Sequence, residues 1–175
     1  MSFRIAASAT LVLLLAACGT DGPTGSGSAS SSMTATVGGA DFSPRSLDIT
    51  ASRNGNVSQF SGEHTVGNTT TTVTIALPNV TVPGTLILNP TFTSQFGRVT
   101  LSGGTAGTTR TWSTLLSPGS GSVTITTIAA QRVAGTFQFT GQFDPATAAT
   151  GQISVTSGTF DIRSEAANSG GRTEA

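Results

Sequence analysis

The chain has no lysine and no tyrosine, and one each of cysteine, histidine and tryptophan. Each scarcity excludes something. A single cysteine has no partner for an internal disulfide. One histidine and one cysteine leave a zinc site short of nitrogen and sulfur ligands. Charged residues make up 9% of the chain, against about a quarter in an average soluble protein. No clustered basic face is present to grip nucleic acid, and the composition suggests no electrostatic hold on anionic lipid. The eight acids are scattered from Asp21 to Glu174. They form no alternating Asp/Asn loop for calcium, and nothing in their spacing selects a glycosidase pair.

The one cysteine sits in a telling place. Arg4 puts a positive charge near the start, and an apolar run from Ile5 to Ala17 follows, broken only by Ser8 and Thr10. As a helix it spans about 20 Å, short of the roughly 30 Å hydrocarbon core of a bilayer. This is the pattern of a signal-peptide core and not of a membrane span. The run ends Leu15-Ala16-Ala17-Cys18, which resembles the lipobox of bacterial lipoproteins: aliphatic, small, small, cysteine. The resemblance implies cleavage before Cys18 and acylation of Cys18. One myristoyl-length chain anchors only marginally, whereas two or three chains on one residue anchor almost permanently. Position 19 is Gly and not Asp, so the usual inner-membrane retention signal of enteric bacteria is absent. The expected location is therefore the cell membrane, by lipid anchor, and the outer membrane where the organism has one.

What remains is divided by composition. Residues 1–17 are the expected signal peptide. Residues 18–32 hold Cys18 and a Gly/Ser-rich stretch with no hydrophobic side chain larger than Ala after it, which reads as a flexible tether. Residues 33–163 form one expected β domain, and 164–175 a loose tail without apolar period. After the predicted cut, seven Arg oppose eight acids, so the balance is nearly neutral.

Within 33–163 the dominant period is two. Leu47, Ile49 and Ala51 alternate with polar residues, as do Val73, Ile75 and Leu77, and Val123 and Ile125. Phe137, Phe139 and Phe143 share a face with Gly141. Ile153 and Val155 share one phase, and Phe160 and Ile162 the opposite one, so an extra residue is expected between them, at Gly158. Turn signals fall at Gly38-Gly39, Asn54-Gly55, Pro83-Gly84, Pro118-Gly119 and Asp144-Pro145. A two-residue turn at Asn54-Gly55 places Ile49 opposite Phe60, Leu47 opposite Gly62 and Arg45 opposite His64. No twelve-residue stretch has helical period. Nine or ten short strands at hairpin spacing predict an all-β fold, an antiparallel β-sandwich, with a flattened β-barrel as the alternative.

Few residues here carry chemistry. His64 follows Glu63, but neighbours on a strand point to opposite faces and cannot orient each other as base and acid. Arg45 beside His64 makes no base–acid pair, though the two form one weak candidate ligand contact. The plainer reading of His64 is a rim histidine satisfied by backbone or water. The stretch from Leu101 to Arg110 is Gly-rich but has no Lys and opens no helix, so it reads as a hairpin loop and not a phosphate loop. Trp112 alternates with Arg110 and Thr114 and is expected on a half-exposed face. Trp112 and Arg110 are the second weak ligand contact, although core or rim packing is the plainer role for the ring. No catalytic set, metal site or cofactor is implied.

Three stretches together resemble a family of uncharacterised bacterial lipoproteins known only as a domain of unknown function. They are Met33–Phe42, Val73–Leu88, and Gly121–Thr140 followed by Val155–Arg163. The resemblance spans most of 33–163, rests on hairpin signatures, and implies an exported all-β domain with no assigned catalytic residue. Members often carry Tyr where this chain has Leu86. The expected function is a membrane-anchored envelope binding or interaction module, its partner an unknown envelope protein or small ligand, with no nucleic acid involved. A purely structural envelope component is the alternative, and an envelope hydrolase the less favoured one.

Overall fold

The computed structural model describes residues 30–104 and 107–163. The expected signal peptide, Cys18, most of the tether and the tail from 164 lie outside the described residues. Eleven strands follow one another: β1 (Ser32–Val37), β2 (Ala40–Phe42), β3 (Ile49–Asn54), β4 (Val57–Val66), β5 (Thr69–Pro78), β6 (Gly84–Leu88), β7 (Phe96–Gly103), β8 (Arg110–Ser113), β9 (Ser120–Ala129), β10 (Arg132–Phe143) and β11 (Gln152–Arg163). A 3-10 turn at Ser46–Asp48 is the only helical element among the described residues. The all-β class is as the alternation predicts, with eleven strands in place of nine or ten.

All pairing is antiparallel, and all eleven strands join in one hydrogen-bonded sheet. Neighbours run β2-β1-β11-β10-β8-β7-β5-β4-β3, and β9 and β6 leave β10 as a side branch. β10 is where the sheet divides. One edge pairs with β11 from Arg132 to Gln142. Along the other edge, Arg132 to Thr140 pair with β9, while Gln142 and Phe143 pair with β8.

The apolar phase of each strand builds one core. Val73, Ile75, Leu77, Val99 and Val123 are fully buried, and Phe60, Phe137, Phe139 and Phe160 nearly so. Strands far apart along the ladder meet through it. Phe60 of β4 stacks on Phe160 of β11 with ring centroids 5.7 Å apart. A Cβ built at Gly97 of β7 would lie 2.6 Å from the Phe139 ring of β10, so only glycine lets those chains approach.

Two phase changes are bulges. Between Val155 and Gly158, β11 carries one more residue than either partner, and both β1 and β10 shift register there. The strained residue is Ser157, at φ +51°, and not the expected Gly158. Gly158 instead faces Phe137, where a Cβ would meet the ring at 2.6 Å. A second bulge at Thr126 moves the inward phase of β9 from Val123 and Ile125 to Ile128.

The β3–β4 register differs from the expectation by one turn position. Asn54 pairs with Val57, so the two-residue loop is Gly55-Asn56, with Gly55 at φ +57°. Glycine with positive φ at the first loop position is the II′ hairpin pattern. Ile49 therefore lies opposite Gly62, and Ala51 opposite Phe60. The face assignments survive because the register moves by two residues. Leu47 is not in the strand: it sits in the 3-10 turn and is 91% exposed.

The outward phase is covered by hydroxyls. Direct cross-strand pairing aligns Thr34, Thr159, Thr136, Thr124 and Thr85 in one row over five strands. Thr34 and Thr159 hydrogen-bond each other at 2.8 Å, as do Thr85 and Thr124 at 2.9 Å. Threonine supplies a β-branched body for the pleat and satisfies its own polar tip sideways.

Candidate functional site

The four ligand-contact residues expected from sequence do not converge. Trp112 is buried, 6% exposed, opposite Val99 and Phe143. Its indole N–H donates to the Thr150 carbonyl at 3.2 Å. The half-exposed face expected for it is absent, because the ring lies on the core side of β8, packed with Val99 and the other buried residues. Arg110 is exposed at the start of β8, opposite Leu101.

His64 and Arg45 do border one surface depression, with Ser43, Asp48, Glu63 and Thr65. They are not opposite each other in a ladder, as expected, because Arg45 precedes the 3-10 turn and β3 starts only at Ile49. Arg45 is bound to Asp48, its Nε donating to Oδ2 at 2.8 Å and its Nη2 to Oδ1 at 3.3 Å. That hydrogen bond holds the Asp48 carboxyl below its ordinary range. His64 Nδ1 accepts the Ser43 backbone N–H at 3.4 Å, and the ring meets Phe42 edge-on at 6.1 Å between centroids. The imidazole is thus a rim group with a backbone partner, and the guanidinium is already engaged. Among the described residues no three His, Cys, Asp or Glu side chains gather as a metal set.

A different concavity is the better candidate. A groove of about 380 Å³ separates the β3–β4 hairpin from the β9–β10 hairpin. Its floor is the open end of the core: Phe60, Val80, Ile128, Val133 and Ile162. The volume lies in the range of small-molecule sites, which are mostly apolar with few polar groups. The polar groups here are at the mouth. Arg53 and Ser58 are opposite each other in the β3–β4 ladder, and the Ser58 hydroxyl donates to Asn79 Oδ1 at 2.9 Å. Asn79 in turn donates to the Gly55 carbonyl at 3.0 Å, which fixes the loop beside the mouth.

Arg132, which also borders the groove, is held in an ion pair on the face of the sheet opposite Val133 and Ile162. Arg132 holds Asp161 with two bonds, Nε to Oδ1 at 2.8 Å and Nη2 to Oδ2 at 2.9 Å. The hydrogen bond from Arg132 lowers the pKa of Asp161, burial opposes this, and the charges of Arg132 and Arg163 add smaller lowering contributions. Arg163 lies directly opposite Arg132 and 4.0 Å from the same carboxylate. This end of the sheet is also where the described chain begins. The Ser31 hydroxyl accepts the Arg163 backbone N–H at 3.0 Å.

Sequence reading missed the groove because its members come from four separated segments. One signal was present. Arg53 is in phase with Ile49 and Ala51, so the alternation that places those residues inward also points Arg53 that way.

No family model matches the chain, and no curated protein or solved structure matches it.

Proposed function

We propose that the protein is a lipid-anchored module of the bacterial cell envelope that binds a partner in the groove between the β3–β4 and β9–β10 hairpins. Cys18 is the anchor and the segment to residue 32 its leash. In this reading the sheet folds into two facing layers, a sandwich closed by contacts such as the Phe60–Phe160 stack. The observation that carries the binding role is the groove itself, an apolar floor left open with an arginine at its mouth. The resemblance to uncharacterised lipoproteins agrees with an exported domain of this kind and with the absence of a catalytic role.

The anchor is tested by Cys18→Ser. The variant is expected to leave the membrane fraction and to take up no labelled palmitate; unchanged fractionation overturns the anchor. Binding is tested in cells with a photo-crosslinking side chain at Ala130, in the groove, and as a control at Thr72, on the outer face. An adduct at Ala130 alone supports the module. Equal labelling, or none, removes the groove from its function.

The hydroxyl rows favour a second reading. A face of mutually bonded threonines offers surface but few free donors, as suits a structural envelope component. That reading expects no adduct at either position.

A further inference from the structure

We infer that the groove takes a single-chain anionic amphiphile, with the hydrocarbon chain on the apolar floor and the anionic head at Arg53. The inference rests on the groove being the binding site and goes further in naming the ligand's chemistry.

The shape argument comes first. The cavity is a slot between two hairpins, floored by Phe60, Val80, Ile128 and Ile162, and it holds about 380 Å³. Phe60 and Ile162 are nearly buried, whereas Val80 and Ile128 are only half-buried. An alkyl chain laid over Val80 and Ile128 removes that residual apolar surface from water. An aromatic or sugar ligand would find no stacking ring there beyond the edge of Phe60, which is already stacked on Phe160.

Charge then selects the head. Arg53 shares the inward phase of β3 with Ile49 and Ala51 and lies opposite Ser58, beside Asn79. An aliphatic side chain at 53 would have extended the floor; a guanidinium caps it instead. Arg53 forms no ion pair among the described residues, whereas Arg45 is held by Asp48, and Arg132 by Asp161. The one carboxylate near the groove, Asp161, is already shared by Arg132 and Arg163. Of the two arginines that border the groove, Arg132 is neutralised by Asp161, so Arg53 is the unpaired charge there and favours an anion. A guanidinium also offers paired N–H donors to a carboxylate or phosphate. Composition alone gave no hint of this, because Arg53 is separated by 75 positions from Ile128 and by 109 from Ile162, which the fold brings to the same groove.

The test uses the mature chain carrying Cys18→Ser, which keeps the protein's own acyl chains out of the groove. Monomeric dodecanoate and, separately, uncharged dodecyl maltoside are titrated into the labelled protein and followed by amide NMR. Dodecanoate is expected to shift the amides of Arg53, Ala129 and Ala130, and to bind about tenfold more tightly than the maltoside. Arg53→Gln should remove that preference while leaving maltoside binding as it was. Ala51→Glu, which puts a carboxylate in the groove lining opposite Phe60, should abolish dodecanoate binding. Equal affinity for the two amphiphiles, or shifts confined to other faces, overturns the inference. Shifts with phosphatidylglycerol vesicles but not with dodecanoate also overturn it, in favour of a membrane surface. If both amphiphiles leave the groove silent while the Ala130 crosslink persists in cells, the groove remains a binding site and only the ligand class is wrong.

Discussion

Phe60 of β4 and Phe160 of β11 stack with centroids 5.7 Å apart and planes 21° from parallel, although four strands separate them along the ladder. The contact is made through the core and not through pairing, so it joins strands that the hydrogen-bonded ladder leaves apart. Phe60→Ala is expected to cost about 3–5 kcal/mol in urea unfolding, the usual range for a buried phenylalanine. Phe160→Ala should cost a similar amount. The double variant should then fall short of the sum by about 0.5–1.5 kcal/mol, the coupling of an aromatic pair. Additive losses would show that the rings are held independently.

Ser157 carries the bulge of β11 at φ +51°, a conformation that costs an ordinary residue about 1–2 kcal/mol. Its side chain is exposed, so little packing is at stake. Ser157→Gly is expected to stabilise the domain by up to about 1 kcal/mol, because glycine reaches positive φ without that strain but loses more chain entropy. Ser157→Val should destabilise it. A thermal midpoint that falls in the glycine variant would contradict this.

The face alternation was legible because each apolar phase is a local pattern: Val73, Ile75 and Leu77 are read in six residues and are fully buried. The bulge position was legible to within a residue, since the phase change between Val155 and Phe160 demands one. What was not legible depends on contacts across the chain. Whether Asn54-Gly55 or Gly55-Asn56 forms the loop is decided by how β4 seats against β5 as well as β3. Leu47 reads as strand because Leu-x-Ile-x-Ala alternates, yet Pro44 and the 3-10 turn stop β3 short of it. Trp112 looks half-exposed beside Arg110, but β8 has neighbours on both edges. The groove needed Arg53, Val80 and Ile128 in one place, which no local pattern encodes.

Asp161 gives the domain a pH signature. Its native pKa lies below the ordinary value near 3.9, chiefly through the hydrogen bond from Arg132. The folded state therefore keeps the proton off to lower pH than the unfolded chain does. The stabilisation is complete above the unfolded pKa and is lost as pH falls through the native one. Asp161→Asn should lose stability at pH 7 and converge with the parent protein as pH falls through the lowered native pKa of Asp161. A gap between the two that persists unchanged into acid would show that the pair acts through packing alone.

β10 meets the β8 branch through two residue pairs, Gln142–Ser113 and Phe143–Trp112, while its ladders to β9 and β11 run almost its whole length. The waist is at one end of β10 and the groove at the other, about 30 Å away over the nine extended steps from Val133 to Gln142. By pairing, the β3–β4 wall reaches β10 through β5, β7 and β8, whereas Ile128 and Val133 stand on β9 and β10 themselves. A chain bound in the groove would thus act as a spacer between two walls that the ladder joins the long way round.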